Sequence, residues 1–186
     1  MNNNRVIIME WNPISLVVPE KQDVELWYKW VNNIEIQSYL LSMFWTIISK
    51  ESEEKYFESL NKDDKELTFS IYINDEGKVI WNISLMNINY KNSHTELWIA
   101  IFDKDNQNKW YWSKSIQLIQ KYVFEVLWLN KLYLRYISTN NRAWKVYSKL
   151  WFIEKGRLKD HHYTMWEYND EVYMELMHKE FLNNKY

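Results

Sequence analysis

The sequence predicts a single α/β domain, and three observations support this class. Short runs rich in β-branched residues alternate with segments whose apolar residues recur at helical spacing. In chain order these elements read β-α-α-β-β-β-α-β-α-β-β. The 186 residues match the length of one domain, and neither a repeat nor a low-complexity linker divides them. We therefore predict one domain over residues 1–186, with its core at about 12–178.

Composition excludes several kinds of site and partner. The net charge is −2 and the pI is about 6.1, which indicates no basic surface for nucleic acid. Without cysteine, the chain has neither disulfides nor thiolate metal ligands. The first residues lack the apolar core of a signal peptide, and the longest apolar run, 39–48, is far shorter than the ~20 residues of a membrane helix. We expect a cytoplasmic protein without nucleic-acid or membrane partners, and a homodimer stays an open alternative to a monomer.

The patterns predict seven strands and four helices. The strands cover residues 14–18, 67–73, 79–88, 96–102, 131–137, 152–156 and 171–177. The helices cover residues 23–33, 49–60, 113–127 and 140–150. Turns are predicted at residues 11–13, 74–77, 89–93 and 165–168.

Glycine and tryptophan occur in unusual numbers. At the average share of about 7%, glycine would number roughly 13, yet the chain has 2 glycines and 12 tryptophans. A compact domain needs glycine where the backbone takes a positive φ or must approach another group closely. The richness in Asn, Lys, Ile and Tyr suggests an A+T-rich gene. Such a gene would also be poor in the G-rich tryptophan codon UGG, so base composition does not explain the excess.

We interpret many of these tryptophans as glycines that are encoded by UGA and written as tryptophan. The positions are 11, 45, 81, 98, 110, 112, 128, 151 and 166. Positions 128 and 151 follow predicted helices, where a left-handed cap favours glycine. Trp27 and Trp30 fit the apolar face of the first helix and are interpreted as genuine, whereas Trp144 stays open. The alternative is a tryptophan-rich surface that stacks on sugars or bases.

The segment 103–113 joins a predicted strand to a predicted helix, a junction where backbone amides commonly bind phosphate. With glycine at 110 and 112 it reads Gln-x-x-Gly-x-Gly from Gln107. As printed, Trp110 held at a positive φ would cost about 1–2 kcal/mol, and its indole would occupy ligand space. The alternative interpretation is a plain loop between a strand and a helix.

Four segments resemble motifs of the GNAT superfamily of acyl-CoA N-acyltransferases when glycine is read at 98, 110, 112 and 151. They are residues 96–99, 109–112, 140–152 and 156–158. The resemblance covers about residues 12–178 and is closest to the RimJ/RimL type, which includes ribosomal-protein N-terminal acetyltransferases and, nearby, spermidine N-acetyltransferases. It implies the GNAT fold, with a mixed, mostly antiparallel sheet of about seven strands flanked by four helices.

The resemblance also implies a site for acetyl-CoA. The backbone of the strand end and the residues of the following loop would bind its pantetheine arm and pyrophosphate: Ala100, Ile101, Phe102, Gln107, Asn108, Lys109, Trp110, Tyr111, Trp112 and Ser113. Asn140 would hydrogen-bond the pantetheine arm. Tyr147 would protonate the departing CoA thiolate, since an ordinary tyrosine pKa of ~10 keeps it neutral at pH 7. The alternative for Tyr147 is a core tyrosine on an amphipathic helix.

The acceptor amine must lose a proton before it attacks, because an ammonium group has no lone pair. Glu96 is the first candidate for the base, and the alternative is an exposed strand glutamate. We expect no metal, because the adjacent His161 and His162 should point to opposite faces of a strand. The predicted function is direct acetyl transfer from acetyl-CoA to a primary amine of a protein N-terminus, a polyamine or an amino sugar. The alternative is a catalytically inactive GNAT-fold protein or a tryptophan-rich ligand-binding protein.

Overall fold

A computed structural model describes residues 5–38, 40–41, 46–99 and 110–184. Eight strands form one sheet in the order β1-β2-β3-β4-β5-β6-β8-β7. The strands are β1 Ile7–Trp11, β2 Ile14–Val17, β3 Leu67–Ile73, β4 Lys78–Asn89, β5 His94–Ile99, β6 Lys131–Ile137, β7 Ile153–Thr164 and β8 Glu167–Met177. The helices are α1 Val24–Val31, α2 Ile34–Gln37, α3 Lys50–Ser59, α4 Tyr111–Lys121, α5 Asn141–Lys149 and α6 His178–Asn184. A π-type turn, Tyr122–Val126, continues α4, and a 3₁₀ turn, Lys21–Asp23, precedes α1.

The α/β class and the mixed, mostly antiparallel sheet are confirmed. Among the described strands, only β5 and β6 pair in parallel. The described part has eight strands and six α-helices, where seven and four were predicted, because β1, α2 and α6 were missed. The predicted turn at 11–13 is wrong at Trp11, which ends β1. Of the predicted strand 96–102, the last three residues lie outside the described part of the chain.

The two faces of the sheet are covered by different helices. On one face, which we call the helix face, Phe69, Ile83 and Leu134 are buried in one cluster with Ile116 and Ile119 of α4. Each such side chain contributes roughly 1.5–3 kcal/mol through its burial. On the opposite face α1 packs against β2, β3 and β4, since a side chain of α1 contacts the buried residues of a second cluster. These residues are Leu26 of α1 with Val17, Tyr72 and Val79.

Three of the tryptophans interpreted as glycine have a left-handed backbone. The φ angles are 55° at Trp128, 68° at Trp151 and 68° at Trp166. The expected positive-φ positions after α4 and α5 and in the β7–β8 turn are therefore confirmed. The expectation for Trp110 is wrong, because its φ is −63°. The bulky tryptophan side chain is unfavourable at positive φ, so three positions carry backbone strain as printed.

The parallel pairing of β5 with β6 is short. It joins His94 to Lys131, Thr95 to Leu132 and Glu96 to Tyr133. Beyond Glu96, β5 stays paired with β4 as far as Ile99, while β6 stays paired with β8 to its end. The two strands therefore separate beyond Glu96 and open a cleft in the sheet, which we call the β5–β6 cleft. No helix in the described ranges is long and apolar enough to cross a membrane.

Candidate active site

The N-terminus of α4 is the first element of the candidate site. Trp110 is its N-cap residue, and the carbonyl of Trp110 accepts the N–H of Lys114 at 3.1 Å. The first N–H groups of an α-helix point out of its N-terminus, and together with the helix dipole they attract anions. In α4 these groups belong to Tyr111, Trp112 and Ser113, three of the residues predicted to bind acetyl-CoA. The remaining loop residues, Gln107, Asn108 and Lys109, and the strand residues Ala100, Ile101 and Phe102 lie outside the described residues.

Tyr147 lies on the helix face beside the first turn of α4. It is 5% exposed, and three aromatic rings surround it. The ring centroids of Trp112, Tyr136 and Phe152 lie 5.9, 5.8 and 6.0 Å from that of Tyr147. Burial raises the pKa of Tyr147, and the neighbouring Tyr136 adds to the effect. The phenol is therefore neutral at physiological pH and can act as a proton donor.

Trp112 packs edge-on against Tyr147 and restricts access to it. Its indole Nε1 is buried and has no hydrogen-bond acceptor in the described part of the protein. A buried N–H group without an acceptor carries a desolvation cost of roughly 1–3 kcal/mol. Glycine at this position would remove both the orphan donor and the ring that covers Tyr147.

Asn140 caps α5, so part of its side chain is already engaged. Its Oδ1 accepts the N–H of Ala143 at 3.0 Å. This is the usual role of asparagine at an N-cap, and it fixes the side chain at the start of the helix that carries Tyr147. The Oδ1 atom is therefore engaged by the helix, and the Nδ2 group is the part of this side chain that can donate a hydrogen bond to a ligand.

Glu96 lies on the opposite face from Tyr147. Strand alternation places it with Tyr133 and Arg135 on what we call the polar face. Glu96 is 5% exposed, which makes the alternative of an exposed strand glutamate wrong. Its Oε1 accepts Arg135 Nε at 2.7 Å, and its Oε2 accepts Asn87 Nδ2 at 3.2 Å. Glu96 is thus a carboxylate held in an ion pair beside the β5–β6 cleft.

The partners of Glu96 were not predicted from the sequence. Arg135 also donates from Nη1 to Glu171 Oε1 at 3.2 Å, so it bridges two buried carboxylates. Burial opposes the charged forms of Glu171 and Arg135, but their hydrogen bonds dominate. Bonds from His162, Tyr173 and Arg135 hold the pKa of Glu171 below its usual value, and the bonds to the two carboxylates raise the pKa of Arg135. Alternation along the predicted strand 131–137 indicates that Arg135 shares a face with Tyr133, but it does not identify the partners of Arg135.

The expected orientation of His161 and His162 is wrong. Their ring centroids lie only 5.1 Å apart. The register of β7 against β8 shifts between Leu158 and His162, and Asp160 within this shift has a φ of 51°. The irregular backbone removes simple alternation and brings both imidazoles near Glu171.

A cavity of about 400 Å³ opens on the polar face. The lining residues come from β5, β6, β7 and β8: His94, Lys131, Tyr133, Lys155, Gly156, Tyr173, Met174 and Glu175. Glu175 lies 3.7 Å from Lys131 Nζ and 3.5 Å from Lys155 Nζ. The cavity therefore combines tyrosine rings with mixed charges, next to the strand that carries Glu96.

Comparison with known proteins identifies the family of this chain. Residues 14–153 match the family described as Acetyltransferase (GNAT) domain. The chain belongs to the GNAT acetyltransferase family. An uncharacterized N-acetyltransferase of Bacillus subtilis (strain 168), YnaD, is 25% identical over 162 residues, which are 87% of this chain and 92% of that protein. The GNAT chain is accordingly an N-acetyltransferase.

Solved structures share the GNAT fold. The spermidine N-acetyltransferase from Vibrio cholerae, in complex with CoA and spermine, superposes with a TM-score of 0.84. Its sequence is 24% identical, and the match covers 93% of this chain and 100% of that one. The similarity confirms the predicted fold.

Proposed function

We propose that this GNAT protein transfers the acetyl group of acetyl-CoA directly to a primary amine of a small polyamine. The observation that carries the proposal is the β5–β6 cleft, which has the N-terminus of α4 and Tyr147 on its helix face and Glu96 on its polar face. A thioester that reaches through the cleft can meet an amine from the other side of the sheet.

The cofactor would be held largely by backbone groups. Residues 107–113 supply the amides for the pyrophosphate, because the start of α4 carries a partial positive charge. The pantetheine arm would lie along β5 and the backbone of the residues that follow it in the chain, Ala100, Ile101 and Phe102, as an added strand does. The amide nitrogen of Asn140 would donate to the same arm.

The reaction forms an N–C bond and breaks the C–S bond of the thioester. The free amine attacks the carbonyl carbon, and an amide near Ile101 would stabilise the oxyanion. Tyr147 gives its proton to the departing thiolate, which its neutral state permits. Glu96 takes a proton from the amine, directly or through water, and its pairing with Arg135 fixes the direction of the carboxylate.

The polar face supports a polyamine as the acceptor. It carries the buried Glu96 and Glu171, which share Arg135. At the cavity, Glu175 lies beside Tyr133 and Tyr173 and pairs with Lys131 and Lys155, which an ammonium chain would replace as partners. Carboxylates and tyrosine rings both attract an extended ammonium chain. The complex of the Vibrio cholerae enzyme with spermine agrees with this choice. A protein N-terminus and an amino sugar are the competing acceptors of the same reaction.

We also propose that the natural protein has glycine at the nine positions interpreted as UGA codons. The positive φ at Trp128, Trp151 and Trp166 supports this, since bulky residues rarely take that conformation. Trp27 and Trp30 are exceptions: the first is 2% exposed in α1, and the second packs against the buried core from the same helix. The codons of the gene and the intact mass of protein purified from its source test the proposal. UGG codons at all nine positions would refute it.

An acceptor screen tests the enzymatic proposal. Release of the CoA thiol is followed with acetyl-CoA and one acceptor from each class: spermidine, glucosamine and an N-terminal peptide. The chain is assayed as printed and with glycine at the nine positions. We expect turnover with spermidine in the glycine form and at least tenfold less in the printed form. Folded protein of the glycine form that binds no acetyl-CoA would contradict the cofactor, and turnover with another acceptor alone would contradict the polyamine.

A further inference from the structure

Three potential metal ligands meet on the hairpin formed by β7 and β8. The ligand atoms of His161, His162 and Glu171 all lie within 4.8 Å of one another. We infer that these three side chains form a binding site for one divalent transition-metal ion. The site shares Glu171 with the polar face proposed above for the acceptor, but binding of an ion is measured without acetyl-CoA or acceptor, so the two proposals can fail separately.

The backbone creates the cluster. In a regular strand, adjacent residues point to opposite faces, and His161 and His162 could not share an ion. The register shift before His162 and the positive φ of Asp160 break this pattern. The imidazole of His162 then contacts Glu171, and the ring of His161 lies edge-on beside it.

The distances fit a metal site after a small outward movement. His162 Nε2 lies 2.6 Å from Glu171 Oε2. Two ligand atoms about 2.1 Å from an ion and at right angles to each other are roughly 3 Å apart. The pair must therefore open by a few tenths of an ångström. His161 is exposed, so its side chain can turn towards the ion and solvent can fill the remaining positions.

The donor set determines the type of ion. Two imidazoles and one carboxylate suit Zn²⁺, Ni²⁺, Co²⁺ or Fe²⁺, whereas Mg²⁺ and Ca²⁺ prefer oxygen donors. The three ligands leave positions for water or another molecule, as in open rather than closed sites. Affinity among the first-row ions should follow the usual order, with Ni²⁺ above Co²⁺.

The charge around Glu171 is compatible with an ion but lowers its affinity. The carboxylate is buried, and its two oxygens have different partners: Arg135 bonds Oε1, and His162 contacts Oε2. An ion bound at Oε2 would thus share the Glu171 carboxylate with the guanidinium of Arg135. The negative carboxylate would lie between the two positive groups. Tyr173 also bonds this carboxylate and helps to hold it. The repulsion from Arg135 lowers the affinity of the site relative to the same three ligands without a neighbouring cation.

Calorimetry on the untagged full-length chain tests the site. After treatment with a chelator, the protein is titrated with NiCl₂ and separately with CoCl₂, and the cobalt absorption spectrum reports imidazole ligation. We expect one ion per chain, and at least tenfold weaker binding in His161→Ala and in His162→Ala. MgCl₂ in excess should not compete.

His94→Gln serves as the control variant, because it removes an imidazole far from the hairpin turn, and it should bind as the wild type does. Circular dichroism checks the fold of each variant. If His162→Ala unfolds because it leaves Glu171 without its contact, the exposed His161→Ala still decides the result. Unchanged binding in folded His161→Ala, equal loss in His94→Gln, or no binding at millimolar NiCl₂ would each overturn the inference.

Discussion

Arg135 Nε lies 2.7 Å from Glu96 Oε1 and thereby connects β6 to β5 at the point where their backbone pairing ends. The same guanidinium reaches Glu171 on β8. One side chain therefore joins three neighbouring strands below the mouth of the β5–β6 cleft. The place where β5 and β6 begin to separate is therefore held by an ion pair as well as by the last hydrogen bonds between the two strands.

Removal of this cation should destabilise the protein. Arg135→Gln leaves Glu96 and Glu171 buried without their counter-charge, and we expect the free energy of unfolding to fall by about 2–3 kcal/mol. Urea denaturation measures the change. Arg157→Gln is the matched control, because its pairs with Glu154 and Asp170 are exposed and each contributes under about 1 kcal/mol. Equal losses in the two variants would show that the bridge has no special role.

Glu171 should make stability depend on pH in the acid range. Its folded-state pKa is lowered by its hydrogen bonds, so its contribution is complete above the unfolded value of 4.5 and is lost as pH falls through the lower folded value. The difference in unfolding free energy between wild type and Glu171→Gln should therefore shrink below pH 4.5. Denaturation curves at several pH values measure it. A difference for Glu171→Gln that stays constant with pH would contradict the assignment.

Tyr147→Phe should slow acetyl transfer in the form with glycine at the nine positions. Loss of a general acid typically lowers the rate 10²–10⁴-fold, and we expect a loss near the lower end because water can supply the proton. Acetyl-CoA affinity should change less than threefold, since the aromatic contacts of the ring remain. Steady-state kinetics and calorimetry separate the two. Tyr136→Phe removes a hydroxyl from the same cluster and should retain activity; an equal loss there would remove the special role of Tyr147.

Glycine at the strained tryptophans should stabilise the fold. Trp128 and Trp166 are 73% and 77% exposed, so their replacement removes little packing and relieves roughly 1 kcal/mol of left-handed strain each. Thermal denaturation should show a higher midpoint for Trp128→Gly and Trp166→Gly. Trp30→Gly is the opposite control, because it removes the stack on Trp81 from a helix and should destabilise. Lower midpoints for both exposed positions would argue against the glycine interpretation.

Trp112→Gly should open the helix face of the cleft. The variant removes the ring that packs on Tyr147, and acetyl-CoA affinity should rise at least tenfold over the printed chain. Titration with acetyl-CoA measures this. Trp144→Gly, on an exposed site of α5, changes helix propensity without clearing the cleft and should leave the affinity unchanged. A gain of affinity in Trp144→Gly as large as that in Trp112→Gly would contradict the steric argument.

Regular buried strands were predictable from the sequence, and exposed or irregular ones were not. The strands at Leu67–Ile73 and Lys131–Ile137 have the predicted bounds because their apolar residues mark them clearly. The strand Ile7–Trp11 lies at the edge of the sheet with mostly exposed side chains, so it gives no contrast of buried and exposed positions. The strand Ile153–Thr164 continues past the predicted end at residue 156 through polar, exposed residues for the same reason.

The candidate site was predictable where it depends on local motifs. The places of Asn140 as a helix cap and Tyr147 as an inward residue could be predicted, because one short segment contains both the cap and the helix, while their roles stay predictions. The role of Arg135 could not, since its contacts with Glu96 and Glu171 depend on which strands are neighbours. The contact between the rings of His161 and His162 depends on a register shift between β7 and β8, and no local sequence pattern indicates a shift of this kind.

The short pairing between β5 and β6 has a consequence for how the protein can change over time. Beyond Glu96, the edge of β5 that faces the cleft offers main-chain groups, and every residue type except proline carries the same ones. A cofactor held there is insensitive to most substitutions along the edge. Descendants can therefore exchange the side chain at position 98, which alternation places on the polar face with Glu96, to suit new acceptors while the main-chain groups proposed to hold the acyl donor stay the same.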